Sequence, residues 1–203
     1  MTVNTEFVHR FLPGTSGETL LLLHGTGGNE TSLVELGRIL RPAANLLSPR
    51  GQVLEGGTMP RYFRRLAEGV FDLDDLVTRT GGLAGFIAQS AARYDFDPAR
   101  VTAVGFSNGA NIGASLLLLY PAVLARAVLL RAMVPLEPEP QPIAGTPVWL
   151  GAGRFDPIVP PDNTARLAQL LADRGARVRL DWRAAGHQLA GGEVEAIAEW
   201  LAN

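Results

Sequence analysis

Residues 101–113 read VTAVGFSNGANIG: an apolar run, then Ser107 with glycines two positions to either side, Gly105 and Gly109. A serine hydroxyl is a poor nucleophile at neutral pH and becomes a good one when a neighbouring base takes its proton. The chemistry open to such a serine is acyl transfer, in which it attacks a carbonyl, holds the acyl group covalently and releases it to water. Chance alone places G-x-S-x-G in roughly one chain in thirteen of this glycine content. The motif therefore counts only if the chain also supplies a base, an acid to orient the base, and donors for an oxyanion.

The histidines are His9, His24 and His187. If chain order runs serine, acid, histidine, only His187 qualifies. It lies in RAAGHQLAGG, a loop between a predicted strand and the last predicted helix. His9 falls in the first predicted strand and reads as structural, and His24 ends a buried strand beside Gly25 and reads as a loop organiser. Between Ser107 and His187 the acids are Glu137, Glu139, Asp156, Asp162, Asp173 and Asp181. Asp156 follows PVWLGAGRFD just past the end of a buried strand, where open α/β sheets place their ligands. Asp162 reads as a cap or first-turn residue, worth on the order of 1 kcal/mol of stability. Asp173 falls on a helix, Asp181 within a strand, and both glutamates in a proline-rich loop.

The turn in LLLLHGTGGNE is no phosphate loop. It lacks a G-K-[ST] ending, and Glu30 stands where the third glycine of G-x-G-x-x-G would be. Its glycines would let backbone N–H groups approach a substrate oxygen. The amides of Thr26 and Asn108, the latter next to the serine, are the expected oxyanion donors. Each feature also has a plainer reading: a strand–helix turn, a surface histidine, a turn aspartate before Pro157, a glycine turn. Their joint occurrence in one order, each at a strand's C-terminal end, argues for the chemical one.

The elements that must position these residues alternate. Strands are predicted over residues 6–12, 19–24, 45–48, 101–106, 126–133, 147–151 and 178–182, and helices over 32–40, 73–93, 108–120, 162–174 and 193–201. Continuous apolar runs such as residues 20–23, all leucine, suit strands covered on both faces. The expected fold is α/β, with a mostly parallel central sheet of about seven strands and helices on both faces. The 203 residues form one expected domain spanning 1–203. The helix after Ser107 carries Gly109, Ala110, Gly113 and Ala114, small enough to lie close on a sheet, and stops before Pro121.

Composition narrows the chemistry further. There is no cysteine, so no disulfide, thiolate nucleophile or thiolate metal site is available. All 18 basic residues are arginine, which removes Schiff-base chemistry, PLP attachment and the phosphate-loop lysine. No metal-ligand cluster is visible, and no cofactor is expected. A net charge of −2 gives no reason to expect nucleic acid as a partner. No apolar stretch is long enough to span a bilayer. MTVNTEFVHRF lacks the features of a signal peptide, so the expected location is the cytoplasm. An apolar edge strand would permit a homodimer.

The segments LLLLHGTGGNE, VTAVGFSNGANIG, GRFDPIVP and AAGHQLAGGEVEAIAEWL, with PRYFRRLAEGVFDLDDL, together resemble the α/β-hydrolase superfamily. Within it they are similar to the small carboxylesterase/phospholipase family that also holds the acyl-protein thioesterases. The resemblance implies a three-layer α/β-hydrolase fold and a serine ester hydrolase with a triad of Ser107, Asp156 and His187 and no cofactor. The related dienelactone hydrolases use a cysteine nucleophile, which this chain cannot supply.

Many α/β-hydrolases carry a helical cap late in the sheet, but residues 134–146 are too few for one, so an open, shallow site without a cap domain is expected. Its expected lip is MPRYFRR, residues 59–65, which could equally begin an amphipathic helix. Arg61 and Arg64 there could favour anionic substrates. His24, Phe63, Met133 and Phe155 are the pocket candidates. The expected substrate is a small or single-chain ester. Lysophospholipase or acyl-thioesterase activity, or a hydrolase fold kept as a binding module, are the alternatives.

Overall fold

Leu20, Leu21, Leu22 and Leu23 are all at most 2% exposed, and they divide by parity between two hydrophobic cores. Side chains alternate across a strand, so a run that is apolar at every position must be covered on both faces. Burying each leucine contributes about 1.5–3 kcal/mol before entropy is counted. The computed structural model describes residues 5–143 and 145–203. Residues 1–4, the start of the stretch read above for a leader, and Ala144 in the proline-rich connection lie outside the described residues.

The strands in chain order are β1 His9–Leu12, β2 Thr19–Leu23, β3 Asn45–Pro49, β4 Val53–Glu55, β5 Met59–Arg61, β6 Arg65–Ala67, β7 Val70–Phe71, β8 Val101–Phe106, β9 Arg126–Leu130, β10 Pro147–Gly153 and β11 Arg177–Arg183. The helices are α1 Val34–Leu40, α2 Leu73–Tyr94, α3 Asn108–Leu119, α4 Pro161–Asp173 and α5 Glu193–Ala202. Seven strands form the central sheet in the order β1-β3-β2-β8-β9-β10-β11. All neighbours are parallel except β1, which runs antiparallel to β3. Leu21 and Leu23 pack in the cluster that takes Leu76, Phe86 and Ile87 of α2, Ala110, Ile112, Ala114 and Leu116 of α3, and Leu167 and Leu171 of α4. Leu20 and Leu22 pack with Leu40 of α1 and Ile197 and Leu201 of α5. Helices thus cover both faces, the three-layer arrangement that the resemblance implied, and among the described residues no cap domain lies over the sheet.

The expected strand over 126–133 stops at Leu130, because Arg131 turns the chain out of the sheet at φ 58°. The expected helix start at residue 32 moves to Val34, after a turn in which the Val34 amide donates to Thr31. Residues 53–71 differ most. The alternative that residues 59–65 begin a helix is not met: the segment forms two small hairpins, β4–β5 and β6–β7, turning at Gly56, Gly57 and Gly69 with positive φ of 59°, 79° and 74°.

Candidate active site

Ser107 sits at φ 53°, ψ −116°, between β8 and α3. Such a conformation is costly for a non-glycine residue and persists only where its surroundings hold it. The Ser107 amide donates to the Leu130 carbonyl at 2.8 Å, tying the turn to the end of β9. The flanking glycines answer a steric demand. A Cβ on Gly109 would stand 2.0 Å from the Leu23 carbonyl oxygen, and one on Gly105 would stand 2.7 Å from the Gly109 carbonyl oxygen. Without them the N-terminus of α3 could not lie on the ends of β2 and β8 with the serine projecting above.

His187, 80 residues further on, comes to that hydroxyl: its Nε2 is 3.0 Å from Ser107 Oγ. Its Nδ1 is 2.8 Å from Asp156 Oδ2. Asp156 follows β10, and its Oδ1 accepts the amides of Ile158 and Val159 at 2.8 and 3.0 Å, which fixes the rotation of the carboxylate. Phe106 packs beside the imidazole, with ring centroids 5.3 Å apart. A carboxylate accepting Nδ1–H leaves the Nε2 lone pair facing the hydroxyl, so the chain of bonds can draw a proton off the serine. Among the other acids between Ser107 and His187, Asp181 pairs with Arg183, Glu137 with Arg166, and Asp173 accepts from Gln169. Asp162 is in the first turn of α4 but is not its cap: the N-cap residue is Pro160, and no side-chain cap bond forms.

The amides of Thr26 and Asn108 have no hydrogen-bond acceptor among the described residues, whereas Gly27 and Gly28 donate theirs to Pro60 and Gly25. The Thr26 loop is held from below by β5. Arg61 Nη1 donates to Thr26 Oγ1 at 2.8 Å and pairs with Glu55 at 3.2 Å. Asn108 uses its side-chain oxygen to accept the Tyr62 amide at 2.8 Å.

Two pocket candidates need correcting. His24 and Phe63 are fully buried, and Phe63 packs edge-on against Phe71 in the larger core. Neither side chain meets a ligand in an open site. Met133 is half-buried beyond β9, where the β6–β7 hairpin brings Gly69 against it. Phe155 stands 73% exposed beside the His187 loop. Of the two arginines expected to favour an anionic substrate, Arg61 is buried on Glu55, whereas Arg64 pairs with Asp72 and Asp75 and keeps 54% of its side chain exposed.

His24 organises two loops at once. Its Nε2 accepts the Gly51 amide at 3.0 Å and its Nδ1 donates to the Gly25 carbonyl at 2.7 Å, which requires the neutral ring. The neighbouring Tyr62 hydroxyl accepts the His24 amide and donates to the Pro49 carbonyl at 2.7 Å, and burial pushes its phenol up so that the proton stays. Burial lowers the His24 pKa below 6.5. The unfolded chain therefore binds a proton as pH falls through 6.5 while the folded one resists, so this contribution to stability is full above that pH and declines below it. Thermal melts between neutral and mildly acidic pH should show a steeper loss for wild type than for His24→Asn, which has no ring to titrate. Equal slopes would show that His24 does not carry this dependence.

Comparison with known proteins agrees with this architecture. The model of the phospholipase/carboxylesterase family matches residues 14–203, and the chain belongs to that family of hydrolases. A Bacillus subtilis protein, MhqD, named provisionally as a hydrolase, is 50% identical over 193 residues, covering 95% of this chain and 96% of that one. The structure of a Bacillus cereus carboxylesterase superposes with a TM-score of 0.92 at 47% identity, covering 95% of this chain and 92% of the other. A carboxylesterase from Mesorhizobium loti gives 0.92 at 33% identity, covering 100% and 97%.

Three residues of the site region escaped sequence reasoning. Asn111 Oδ1 accepts the Met133 amide at 2.8 Å, and Arg131 and Glu193 form an ion pair with no exposed side-chain surface. The available signal was an arginine inside the apolar run of residues 127–133.

Proposed function

We propose that the protein is a serine esterase that hydrolyses small or single-chain carboxylic esters through an acyl-enzyme. The observation that carries this reading is the continuous hydrogen-bonded line from Asp156 through His187 to Ser107. Ser107 Oγ attacks the ester carbonyl carbon as its proton passes to His187 Nε2. The oxyanion that forms is held by the Thr26 and Asn108 amides, and the positive end of α3 adds to the same field. The C–O bond breaks, the alcohol leaves with the proton from His187, and an acyl-serine remains. Water then attacks, giving its proton to His187. The acid departs as Ser107 Oγ takes that proton back. Asp156 holds the ring in the required tautomer and stabilises the imidazolium without taking the proton itself.

Exposed Phe155, Ile158 and Leu189, on the segments that carry Asp156 and His187, offer an apolar surface for an acyl chain. With no cap above them, one chain can lie along the opening without threading a tunnel. The test is reaction with a fluorophosphonate, in which fluoride leaves as the Ser107 Oγ–P bond forms, followed by peptide mass spectrometry. Labelling should fall on Ser107 alone; labelling elsewhere, or none, would overturn the assignment. A panel of acyl lengths as oxygen and sulfur esters then separates carboxylesterase from lysophospholipase and thioesterase activity.

A further inference from the structure

We propose that Arg131 and Glu193 form a positioning device that sets the His187 imidazole against Ser107. The proposal rests on the reading of His187 as the proton carrier. Both side chains have zero exposure, and they meet as a two-pronged pair, Nη1 to Oε1 at 2.7 Å and Nη2 to Oε2 at 2.8 Å. Taking two charges out of water is costly, and apolar residues of similar volume in their place are often neutral or stabilising. Stability alone is therefore a weak reason for the pair to be there.

Its remaining bonds say what it holds. Arg131 Nε donates to the Gly186 carbonyl at 3.1 Å, and Nη2 donates to the Gln188 carbonyl at 2.6 Å. These are the carbonyls on either side of His187. Glu193 Oε2 also accepts the Ala190 amide at 2.9 Å. The stretch between β11 and α5 has no strand ladder or helix to hold it, so the buried pair supplies three of its backbone anchors.

The device is tied to the serine as well. The Leu130 carbonyl takes the Ser107 amide, and the next residue, Arg131, donates its own amide to Gly151 at 2.8 Å. Two adjacent residues thus reference the Ser107 turn and the His187 loop to one strand end, although Ser107 and His187 lie 80 positions apart. Gly151 leaves the space this needs, since a Cβ there would stand 2.6 Å from Glu193 Oε1. Only a planar fork of donors reaches both carbonyls and both carboxylate oxygens; a lysine ammonium offers one point charge in their place.

Two variants test this: Arg131→Lys, which keeps the charge and loses the fork, and Arg131→Met with Glu193→Leu, which leaves no unpaired buried charge. If one fails to fold, the other decides. The readouts are the low-field proton resonance of His187 Nδ1–H, kcat and KM on a small ester, and the rate of fluorophosphonate labelling. In the folded variant the resonance should broaden or vanish. Turnover and labelling should both fall about 100-fold, the scale of a misplacement near 1 Å, with KM little changed. A folded variant that only melts earlier, keeping the wild-type resonance and kcat, would overturn the proposal. If wild type itself is not labelled at Ser107, the esterase reading falls and the resonance alone decides. Its loss in the variant supports positioning, and its retention overturns it.

Discussion

Ser107→Ala should lower ester turnover by on the order of 10⁴- to 10⁶-fold, the scale seen when the nucleophile of an acyl-transfer enzyme is removed. The chain has no cysteine or lysine to take over covalent catalysis. What should survive is water attack on the bound ester, with the proposed oxyanion donors, the Thr26 and Asn108 amides, still in place. The fold should remain. Among the described residues the Ser107 hydroxyl hydrogen-bonds to His187 alone, and the backbone bonds of Ser107 to Leu130 and Asn111 do not involve the side chain. Alanine meets the same backbone strain at positive φ that serine already bears. Turnover, fluorophosphonate labelling and a thermal melt of the purified variant check this together. Turnover within tenfold of wild type, in a preparation free of contaminating esterase, would remove Ser107 from the mechanism.

Asp156→Asn should cost about 10²- to 10⁴-fold in turnover, the upper figure being that of the analogous change in a serine protease. The structure sharpens the reason. Asp156 Oδ1 is committed to the amides of Ile158 and Val159, both donors, so an asparagine must keep its oxygen there. Its NH₂ then occupies the place of Oδ2, 2.8 Å from His187 Nδ1. A donor facing that nitrogen forces it to accept, and the ring proton moves to Nε2, where the serine needs a lone pair. The open site softens the loss, since water can reach the imidazole and stand in part for the acid. Asp162→Asn is the control. Asp162 is exposed in the first turn of α4 and makes no cap bond, so both rate and melting temperature should stay near wild type, a smaller effect than a capping role would give. Equal turnover of the two variants would show that Asp156 does not control the tautomer.

Much of this was legible along the chain because the relevant signals are local. Four consecutive buried leucines require a strand covered on both faces, whatever the rest of the fold does. Gly105 and Gly109 mark a strand-to-helix turn because a Cβ at either would collide with backbone. Asp156 and His187 stand just past predicted strand ends, and parallel strands bring their C-terminal ends to one edge of the sheet. Composition closed other routes, since a chain without cysteine or lysine leaves few covalent catalysts.

The hairpins of residues 53–71 were not legible. Strands of two or three residues carry too little alternation to register, and the sign they did carry was the paired Gly56 and Gly57 at the turn. Folding those hairpins inward is what buried Phe63 and turned Arg61 from a surface charge into a brace for the Thr26 loop. His24 was expected both to organise a loop and to line the pocket, and the approach of Gly51 and Tyr62, from other parts of the chain, encloses it.

Arg131 is the plainest case. Inside an apolar run its charge argues for exposure, and a strand continued through Met133 would have aimed it, by alternation, at the core face that takes Ala127 and Leu129. A positive φ at Arg131 and a carboxylate 62 residues away bury it instead, under the carbonyls that flank His187. Local sequence determines which segments become strands and helices, because burial periodicity and turn sterics act over a few residues. Which polar groups lose their water, and which partners they find in its place, depends on segments that meet only when the chain has folded.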